Sequence, residues 1–467
     1  MMTQTTIRHA IKQELNETLS ISIPLITSQL IYASSSFIGT AMVAKLGEDA
    51  LAASVLVSMI WLSMSVLFFG ILNSVSVLVS HQYGAKNDQA ISRVMGQSLI
   101  LGLILCIIML LMLFTMPYFL KWSDQPARVL QLAREYMFSL LWTVPSLLLL
   151  IILEQFLAGI HRAKIVLRIS LLIVPIEIPL IYCLVFGKLG LPACGVAGVG
   201  YGFATTYFIT SVSLVYYLYR SPQYKRFNIF QKIGSFDKSV LKELLAVGLP
   251  IGFMHVIEVS TFTFATFWIS QFGTTMLAAH QIVMQYLSFT ITIVFAMSQA
   301  VTVRVGHSVG QKNLQAVYYA SYVGMFMNLL CVAIIALAFY IIPTFFLQLD
   351  MNVLLPKNAE LVRDSSALLS MCAILILFDN CRIIGFGALR GLKDTQFPMY
   401  ASLISFWLIG LPAAYYFGFI TLSGGKGIWW GLTLGIACGA LIVLTRMNIL
   451  LKRVDLNKIM SESVVSH

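Results

Sequence analysis

Two stretches of this chain that lie 226 residues apart have nearly the same sequence. Residues 80–87 align with residues 306–313, and the two stretches match at His, Gly, Lys and Asn. The same offset pairs further positions along the chain: Gly47 with Gly273, Leu51-Ala52-Ala53 with Leu277-Ala278-Ala279, and Pro24 with Pro250. Because one offset holds from Pro24 to Asn87 without a gap, the chain contains a duplicated unit of about half its length.

The composition indicates that both halves lie in a membrane. Hydrophobic residues make up 59% of the chain and charged residues 10%, whereas soluble proteins average about 25% charged residues. Apolar runs such as residues 99–113 do not alternate, so a β-barrel is not expected. Runs long enough for a helix to cross a bilayer occur twelve times: 17–44, 51–79, 94–119, 136–159, 165–188, 196–219, 240–270, 277–304, 315–346, 365–390, 397–421 and 427–451.

The predicted fold class is an all-α integral membrane protein, with twelve transmembrane helices arranged as two pseudo-symmetric lobes of six. Because each half has an even number of helices, the two halves insert in the same orientation as a parallel repeat. The predicted segments follow the chain in order: 1–16 a cytoplasmic N-terminal segment, 17–219 the N-lobe, 220–239 a basic cytoplasmic linker, 240–451 the C-lobe, and 452–467 a cytoplasmic tail.

The basic residues predict the orientation of the chain in the membrane. With the N-terminus inside, 21 of the 30 Lys and Arg fall in inner loops or tails, eight in outer loops, and Arg382 within a span. This bias predicts that both termini and the linker are cytoplasmic. The net charge of +11 is then explained by topology and anionic lipid. We therefore expect membrane lipid, and no nucleic acid, as a macromolecular neighbour.

Several classes of site have no support in the sequence. The seven cysteines are scattered and show no Cys/His ligand spacing, so neither disulfides nor a zinc site is expected. The chain has no phosphate-binding loop of the GxxxxGK[ST] type, so it does not encode an ATP-driven pump. We expect no cofactor and no enzymatic activity.

Four acidic residues fall within predicted spans: Glu154, Glu177, Glu258 and Asp379. Insertion scales place a charge such as Asp at a helix centre at about +2.5 to +3.5 kcal/mol, so such a residue needs a partner, a watery cavity or a proton. Each of the four is therefore a functional hypothesis.

The two acids of the second half have different surroundings in the sequence. Glu258 has no basic residue within a helical turn, and His255 is its only titratable neighbour, which favours a cation or proton site. Asp379 has Arg382 three residues further on, so a structural ion pair and a functional role both stay open. A carboxylate in a low-dielectric surrounding can exchange a proton for a cation near neutral pH. Glu258 and Asp379 facing one cavity could hold Na⁺ or H⁺ whenever a cationic substrate is absent.

The two acids of the first half are more ambiguous. Glu154 is expected near the inner surface, reaching towards Arg162 or Lys164 as long side chains near helix ends do. Glu177 stands between two prolines, where a broken backbone would open a polar cavity.

Further residues within the spans are candidates for lining a wide substrate chamber, although Met and aromatic residues at helical spacing are more often ordinary packing. The candidates are Tyr32, Asn73, Met254, Phe262, Gln281, Met284, Gln285 and Phe378.

Three motifs of the second half resemble the signatures of the multidrug and toxic compound extrusion (MATE) family, NorM branch. They are Leu277-Ala278-Ala279-His280-Gln281-Ile282, Arg304-Val305-Gly306-His307-Ser308-Val309-Gly310 and Ala388-Leu389-Arg390-Gly391-Leu392-Lys393-Asp394-Thr395. The resemblance covers residues from about 17 to 450. It implies two six-helix lobes that open alternately to each side, and export of cationic amphipathic drugs in exchange for Na⁺ or H⁺. It also implies that Glu258 and Asp379 form the cation site of the C-lobe.

The chain departs from the family pattern at three positions. The aspartate that the family usually carries in its first helix is replaced here by Gly39. Glu177 stands where relatives commonly carry Asn and is a candidate replacement carboxylate. Arg382 replaces a residue that is usually uncharged, and a guanidinium there would occupy the cation site and favour H⁺ over Na⁺, or change the electrostatics of transport in another way.

The sequence thus predicts a monomeric drug/cation antiporter of the bacterial inner membrane that takes small organic cations. A lipid-linked oligosaccharide flippase of the same superfamily is the second reading, although it would need a basic cavity for phosphates. An integral membrane enzyme with Glu258 or Asp379 as a general base is a third.

Overall fold

A computed structural model describes residues 4–122, 125–231 and 236–461. Residues 1–3 of the predicted N-terminal segment, 232–235 of the linker and 462–467 of the tail lie outside the described residues, as do 123–124. Within the described part, the regular structure is entirely helical. The all-α prediction is therefore confirmed.

The described residues of the first half form eight helices. They are α1 (Gln4–Ala44), α2 (Glu48–Gly84), α3 (Asp88–Leu120), α4 (Ala127–Leu141), α5 (Thr143–Gly159), α6 (Ala163–Phe186), α7 (Ala197–Arg220) and the short α8 (Pro222–Lys225). The prolines of α6 do not break it, so the predicted break at Glu177 is wrong.

The second half forms α9 (Lys238–Ile269), α10 (Thr274–Gly310), α11 (Leu314–Ile341), α12 (Pro343–Asp350), α13 (Ala359–Gly391), α14 (Gln396–Ser402), α15 (Leu411–Tyr415), α16 (Gly424–Arg453) and α17 (Leu456–Ser461). Two π-helical stretches, Leu403–Gly410 and Tyr416–Ile420, flank α15. Short 3₁₀ turns cover Ser270–Phe272 and Pro356–Asn358.

The spans agree with the prediction in position but not fully in number. Ten described helices are long and apolar enough to cross a membrane, or eleven if α4 and α5 count as one span bent by 47°. The fourth predicted span is thus a bent pair. Pro145 lies beside the bend and favours it, because proline has no backbone N–H to donate. The sixth predicted span, α7, is not counted among these helices. Its first half is rich in Gly, Thr and Tyr and is therefore not apolar enough.

The duplicated sequence produces the same local structure twice. Asn87 and Asn313 each cap a helix, and their side chains accept hydrogen bonds from Ala90 N at 3.0 Å and Ala316 N at 3.1 Å. An Asn cap of this kind is worth about 1 kcal/mol. The preceding lysines have φ values of 57° and 56°, and the two long helices before them, α2 and α10, are each 37 residues long. The repeat is therefore structural as well as sequential.

The described chain divides into two compact units. Unit 1 contains the described residues up to Ile26 together with Leu249–Met460, and unit 2 contains Thr27–Gly248. Each unit has its own hydrophobic core. The units follow the two halves of the chain except along α1 and α9, each of which is divided between the two units. The first part of α1 therefore belongs with the helices of the second half.

An ion cluster fixes the first part of α1 within unit 1. Arg304 of α10 donates from Nε to Glu14 Oε1 at 2.8 Å and from Nη2 to Glu14 Oε2 at 2.6 Å. Its Nη1 also pairs with Glu17. Arg304 and Glu14 are 6% and 5% exposed, so both charged groups are largely withdrawn from water. Two nitrogens of the planar guanidinium donate to the two carboxylate oxygens, a bidentate geometry that arginine provides better than lysine.

Replacing Arg304 by Ala is expected to destabilise the protein, because a buried pair that loses one partner leaves an uncompensated charge at a cost of about 3–5 kcal/mol. The measurement is the thermal unfolding midpoint of the purified protein in detergent. The matched control is Arg363→Ala, since the side chain of Arg363 is 71% exposed. Its neighbour Asp364, at 3.6 Å, keeps Lys426 as a second partner at 3.2 Å, and Arg363 also pairs with Glu360 at 4.0 Å. Such a surface pair contributes about 0–1 kcal/mol. Equal midpoints for the two variants would show that the cluster does not hold α1.

Candidate functional site

Three charged side chains meet inside unit 1. Glu258 lies on α9, and Asp379 and Arg382 lie three residues apart on α13. Arg382 donates from Nε to Asp379 Oδ1 at 2.8 Å, and its Nη2 lies 2.6 Å from the same oxygen. Its Nη1 donates to Glu258 Oε1. The contact between Arg382 and Asp379, which the sequence leaves open, is thus present, and the guanidinium bridges both carboxylates.

The cluster is almost entirely withdrawn from solvent. The exposed fractions of the Glu258, Asp379 and Arg382 side chains are 10%, 4% and 2%. Two carboxylates and one guanidinium leave one uncompensated negative charge if all three are ionised. In a surrounding of low dielectric that charge is costly, so one further positive charge stabilises the cluster.

Three further titratable groups lie near the cluster. The buried Arg390 interacts electrostatically with Glu258, and Cys372 with Asp379. The third is His255. Its Nδ1 lies 3.6 Å from Glu258 Oε2, one turn away on α9, and its ring packs at 5.2 Å against Phe295. This carboxylate oxygen faces the imidazole and not the guanidinium. The sequence singled out His255 as the titratable neighbour of Glu258, whereas Arg382 was indicated only through the family resemblance, since its contact with Glu258 joins two helices that are distant in the sequence.

The arrangement limits the carboxylate oxygens that remain for a further cation. Arg382 already occupies Glu258 Oε1 and Asp379 Oδ1. A hard metal cation is held by several oxygens at once, and here it would also lie beside a guanidinium. A proton needs a single oxygen. Within the described residues, no group of three or more His, Cys, Asp or Glu side chains is placed to hold a metal ion.

Aromatic rings surround the guanidinium. The Cζ atom of Arg382 lies 5.1 Å from the ring centroid of Phe386 and 4.7 Å from that of Phe406. Sequence reasoning missed both rings. The position of Phe386, four residues after Arg382 on one helix, was a usable signal, whereas nothing in the sequence linked Phe406 to Arg382.

The two acids of the first half lie in unit 2, each with a hydroxyl partner. Ser35 donates to Glu177 Oε1, and Glu177 is 1% exposed. Its second oxygen, Oε2, is buried without a hydrogen-bond partner among the described residues. Tyr32 donates to Glu154 Oε1 at 3.0 Å. The expectation that Glu154 reaches towards Arg162 or Lys164 is therefore wrong, because the half-buried hydroxyl of Tyr32 on α1 is available to it.

The candidate chamber residues are distributed over both units. Tyr32 and Asn73 belong to unit 2, and the other candidates belong to unit 1. Met254 is 2% exposed and packs in the core of unit 1. Phe262 and Met284 pack against the same core. The candidates of unit 1 with exposed side chains are Gln281, Gln285 and Phe378.

Comparison with known proteins assigns the chain to a family. A sequence profile of the MatE family matches residues 24–183 and 250–416, one segment in each half of the duplication. The chain belongs to the MatE family. The resemblance seen in the motifs is thereby confirmed. The two matched segments begin at Pro24 and Pro250, the prolines that the 226-residue offset pairs.

Relatives within the MatE family cover nearly the whole chain. A probable multidrug resistance protein NorM of Pseudomonas syringae pv. tomato is 32% identical over 90% of this chain and 92% of its own length. A probable NorM of Synechocystis is 30% identical over 96% of this chain and 97% of its own. The fold is similar to that of a multidrug resistance MATE family transporter in an outward-facing conformation, with a TM-score of 0.85 at 18% identity, covering 94% of this chain and 97% of the other.

The charge count in the cluster of this MatE protein predicts a non-additive pair of substitutions. Arg382→Gln leaves two adjacent buried carboxylates without a counter-charge, which is expected to lower the thermal midpoint strongly. Arg382→Gln combined with Asp379→Asn removes one of those charges. We expect the double variant to be at least as stable as Arg382→Gln alone, because the two residues share one interaction. A double variant whose loss equals the sum of the single losses would contradict the shared cluster.

Proposed function

We propose that this MatE protein is a secondary active exporter of cationic amphipathic compounds, driven by protons and working by alternating access. The observation that carries the proposal is the buried Glu258–Asp379–Arg382 cluster, in which two carboxylates share one guanidinium and so carry one negative charge when all three are ionised. A proton on one carboxylate neutralises it. The positive charge of an organic substrate can neutralise it equally well, so the two compete, which is the requirement for antiport.

The placement of Arg382 supports H⁺ and not Na⁺ as the coupling ion. The guanidinium occupies one oxygen of each carboxylate and repels a second cation placed beside it. Na⁺ would need the oxygens that Arg382 holds, whereas a proton binds to an oxygen that remains, such as Glu258 Oε2 near His255.

The substrate class is supported by the surroundings of the site and by the relatives. Acids in the helices suit a cation and not the phosphates of a lipid-linked oligosaccharide. Two relatives that align over nearly the whole chain carry the name multidrug resistance protein NorM. The proposal places the protein as a monomer in the bacterial inner membrane, with both termini cytoplasmic and with no cofactor other than the coupling ion.

The test is ethidium efflux from loaded proteoliposomes with the membrane potential clamped by K⁺ and valinomycin. We expect an acidic exterior to drive efflux and an inward Na⁺ gradient at equal pH to drive none. Glu258→Gln should lose most of the pH-driven efflux, because the remaining charges of Asp379 and Arg382 already cancel. The matched control is Glu360→Gln, which alters a 66%-exposed carboxylate at the start of α13. Efflux driven by Na⁺ alone would contradict the proton assignment.

The contacts of the Glu177 carboxylate support a second proton-binding position in unit 2. A carboxylate oxygen buried without a donor is stable only when the group carries a proton or has a cation beside it. We expect Glu177→Gln to reduce pH-driven efflux while leaving the thermal midpoint close to that of the wild type, since the amide keeps an acceptor for Ser35. Efflux rates of Glu177→Gln and Glu135→Gln, an exposed acid on α4, compared in the same vesicles, provide the measurement. Equal rates would remove Glu177 from the mechanism.

A further inference from the structure

The charges of the cluster do not explain why two aromatic rings lie beside Arg382. Phe386 and Phe406 are each 1% exposed, and both ring centroids lie within about 6 Å of the guanidinium carbon, the range in which a ring attracts a cation. The attraction is stronger where water is excluded. The carboxylates therefore hold the edges of the guanidinium while the rings pack against the group itself.

Two different local structures bring the rings to Arg382. Phe386 lies one turn further along α13, so the i, i+4 spacing places it there. Phe406 lies in the π-helical stretch Leu403–Gly410, where the Leu411 amide donates to the Phe406 carbonyl five residues back. Pro412 follows and cannot donate. Insertion of a π turn changes the direction of side chains and is frequent at functional sites.

A glycine on a third element leaves space for the arginine. A Cβ atom added to Gly439 of α16 would lie 3.2 Å from Arg382 Cδ and 2.4 Å from Ser405 Oγ. The absence of a side chain at position 439 thus lets the stem of Arg382 pass beside the π-helical stretch. Elements α13, α16 and the π-helical stretch thus all pack around Arg382.

We propose that Phe386 and Phe406 are positioning residues that keep Arg382 in the coupling site and thereby set the choice of H⁺ over Na⁺. The inference rests on the proposed function and adds the residues responsible for its ion selectivity. Without the rings, the guanidinium is held only along its edges by flexible carboxylate side chains and can move away. Oxygens of Glu258 and Asp379 then become available to Na⁺.

The test compares Phe386→Leu, Phe406→Leu and the double variant with the wild type, Arg382→Gln and the matched control Phe339→Leu. Phe339 is a buried ring of unit 1 whose ring contacts are Tyr286 and Phe346. The first readout is the ratio of Na⁺-driven to pH-driven ethidium efflux. The second is the thermal midpoint of the purified protein in NaCl compared with N-methyl-D-glucamine chloride, since a bound ion stabilises the folded state.

We expect the double variant to show Na⁺-driven efflux about tenfold above the wild-type background while keeping pH-driven efflux, the size of effect that loss of a desolvated cation–π contact allows. Its midpoint should rise in NaCl, as should that of Arg382→Gln, whereas the wild type and Phe339→Leu should show neither change. General damage to packing would lower both fluxes together and would not create a response to Na⁺.

The outcomes separate this inference from the function on which it rests. If Arg382→Gln gains the response to Na⁺ and the leucine variants do not, the rings only fill space and the inference is wrong, while proton coupling stands. If the wild type itself responds to Na⁺, both the proton assignment and the inference fail. If no gradient drives efflux in the wild type, antiport fails, and the midpoints in NaCl still decide whether the rings keep Na⁺ out.

Discussion

The cost of charge in a low-dielectric interior is the constraint on which the site depends. Glu258, Asp379 and Arg382 are nearly inaccessible to water, and isolated buried ions of this kind are not tolerated without partners. Pairing by one guanidinium removes most of the cost but leaves one negative charge. On the proposed function, a mobile positive charge completes the cluster. Proton binding and competition with an organic cation then follow from the unmatched charge, and exclusion of Na⁺ follows from the carboxylate oxygens that Arg382 occupies.

The same constraint explains the other buried polar groups. Arg304 pairs with Glu14 and Glu17, again two acids with one arginine, but the Glu17 side chain is 37% exposed, so water screens the second carboxylate. The pairing holds part of α1 to the helices of the second half. In unit 2, Glu154 has a tyrosine hydroxyl, whereas Glu177 has a serine on only one of its oxygens. The Arg304 and Arg382 clusters therefore differ in the burial of their second carboxylate and not in their count of charges. The proposed function assigns proton binding to the cluster in which both carboxylates are buried.

Sequence patterns predicted the fold better than the contacts of the site. Apolar length gave the helices, and the 226-residue offset gave the repeated turns at Asn87 and Asn313, because both depend on local interactions. The i, i+3 spacing indicated that Arg382 could reach Asp379. Its contact with Glu258, and the approach of Phe406, join helices that only folding brings together. The bend between α4 and α5 and the π-helical stretch before Pro412 depend on local backbone geometry that hydropathy does not report.

The most direct test of the central claim is proton release when an organic cation binds to the purified protein. Tetraphenylphosphonium is added to protein in detergent and weakly buffered solution, with a pH indicator and without Na⁺. We predict release of about one proton per bound cation, because the two compete for one charge by linkage, and no release from Glu258→Gln. Cation binding without proton release, or binding that changes with added Na⁺ at constant pH, would contradict the claim.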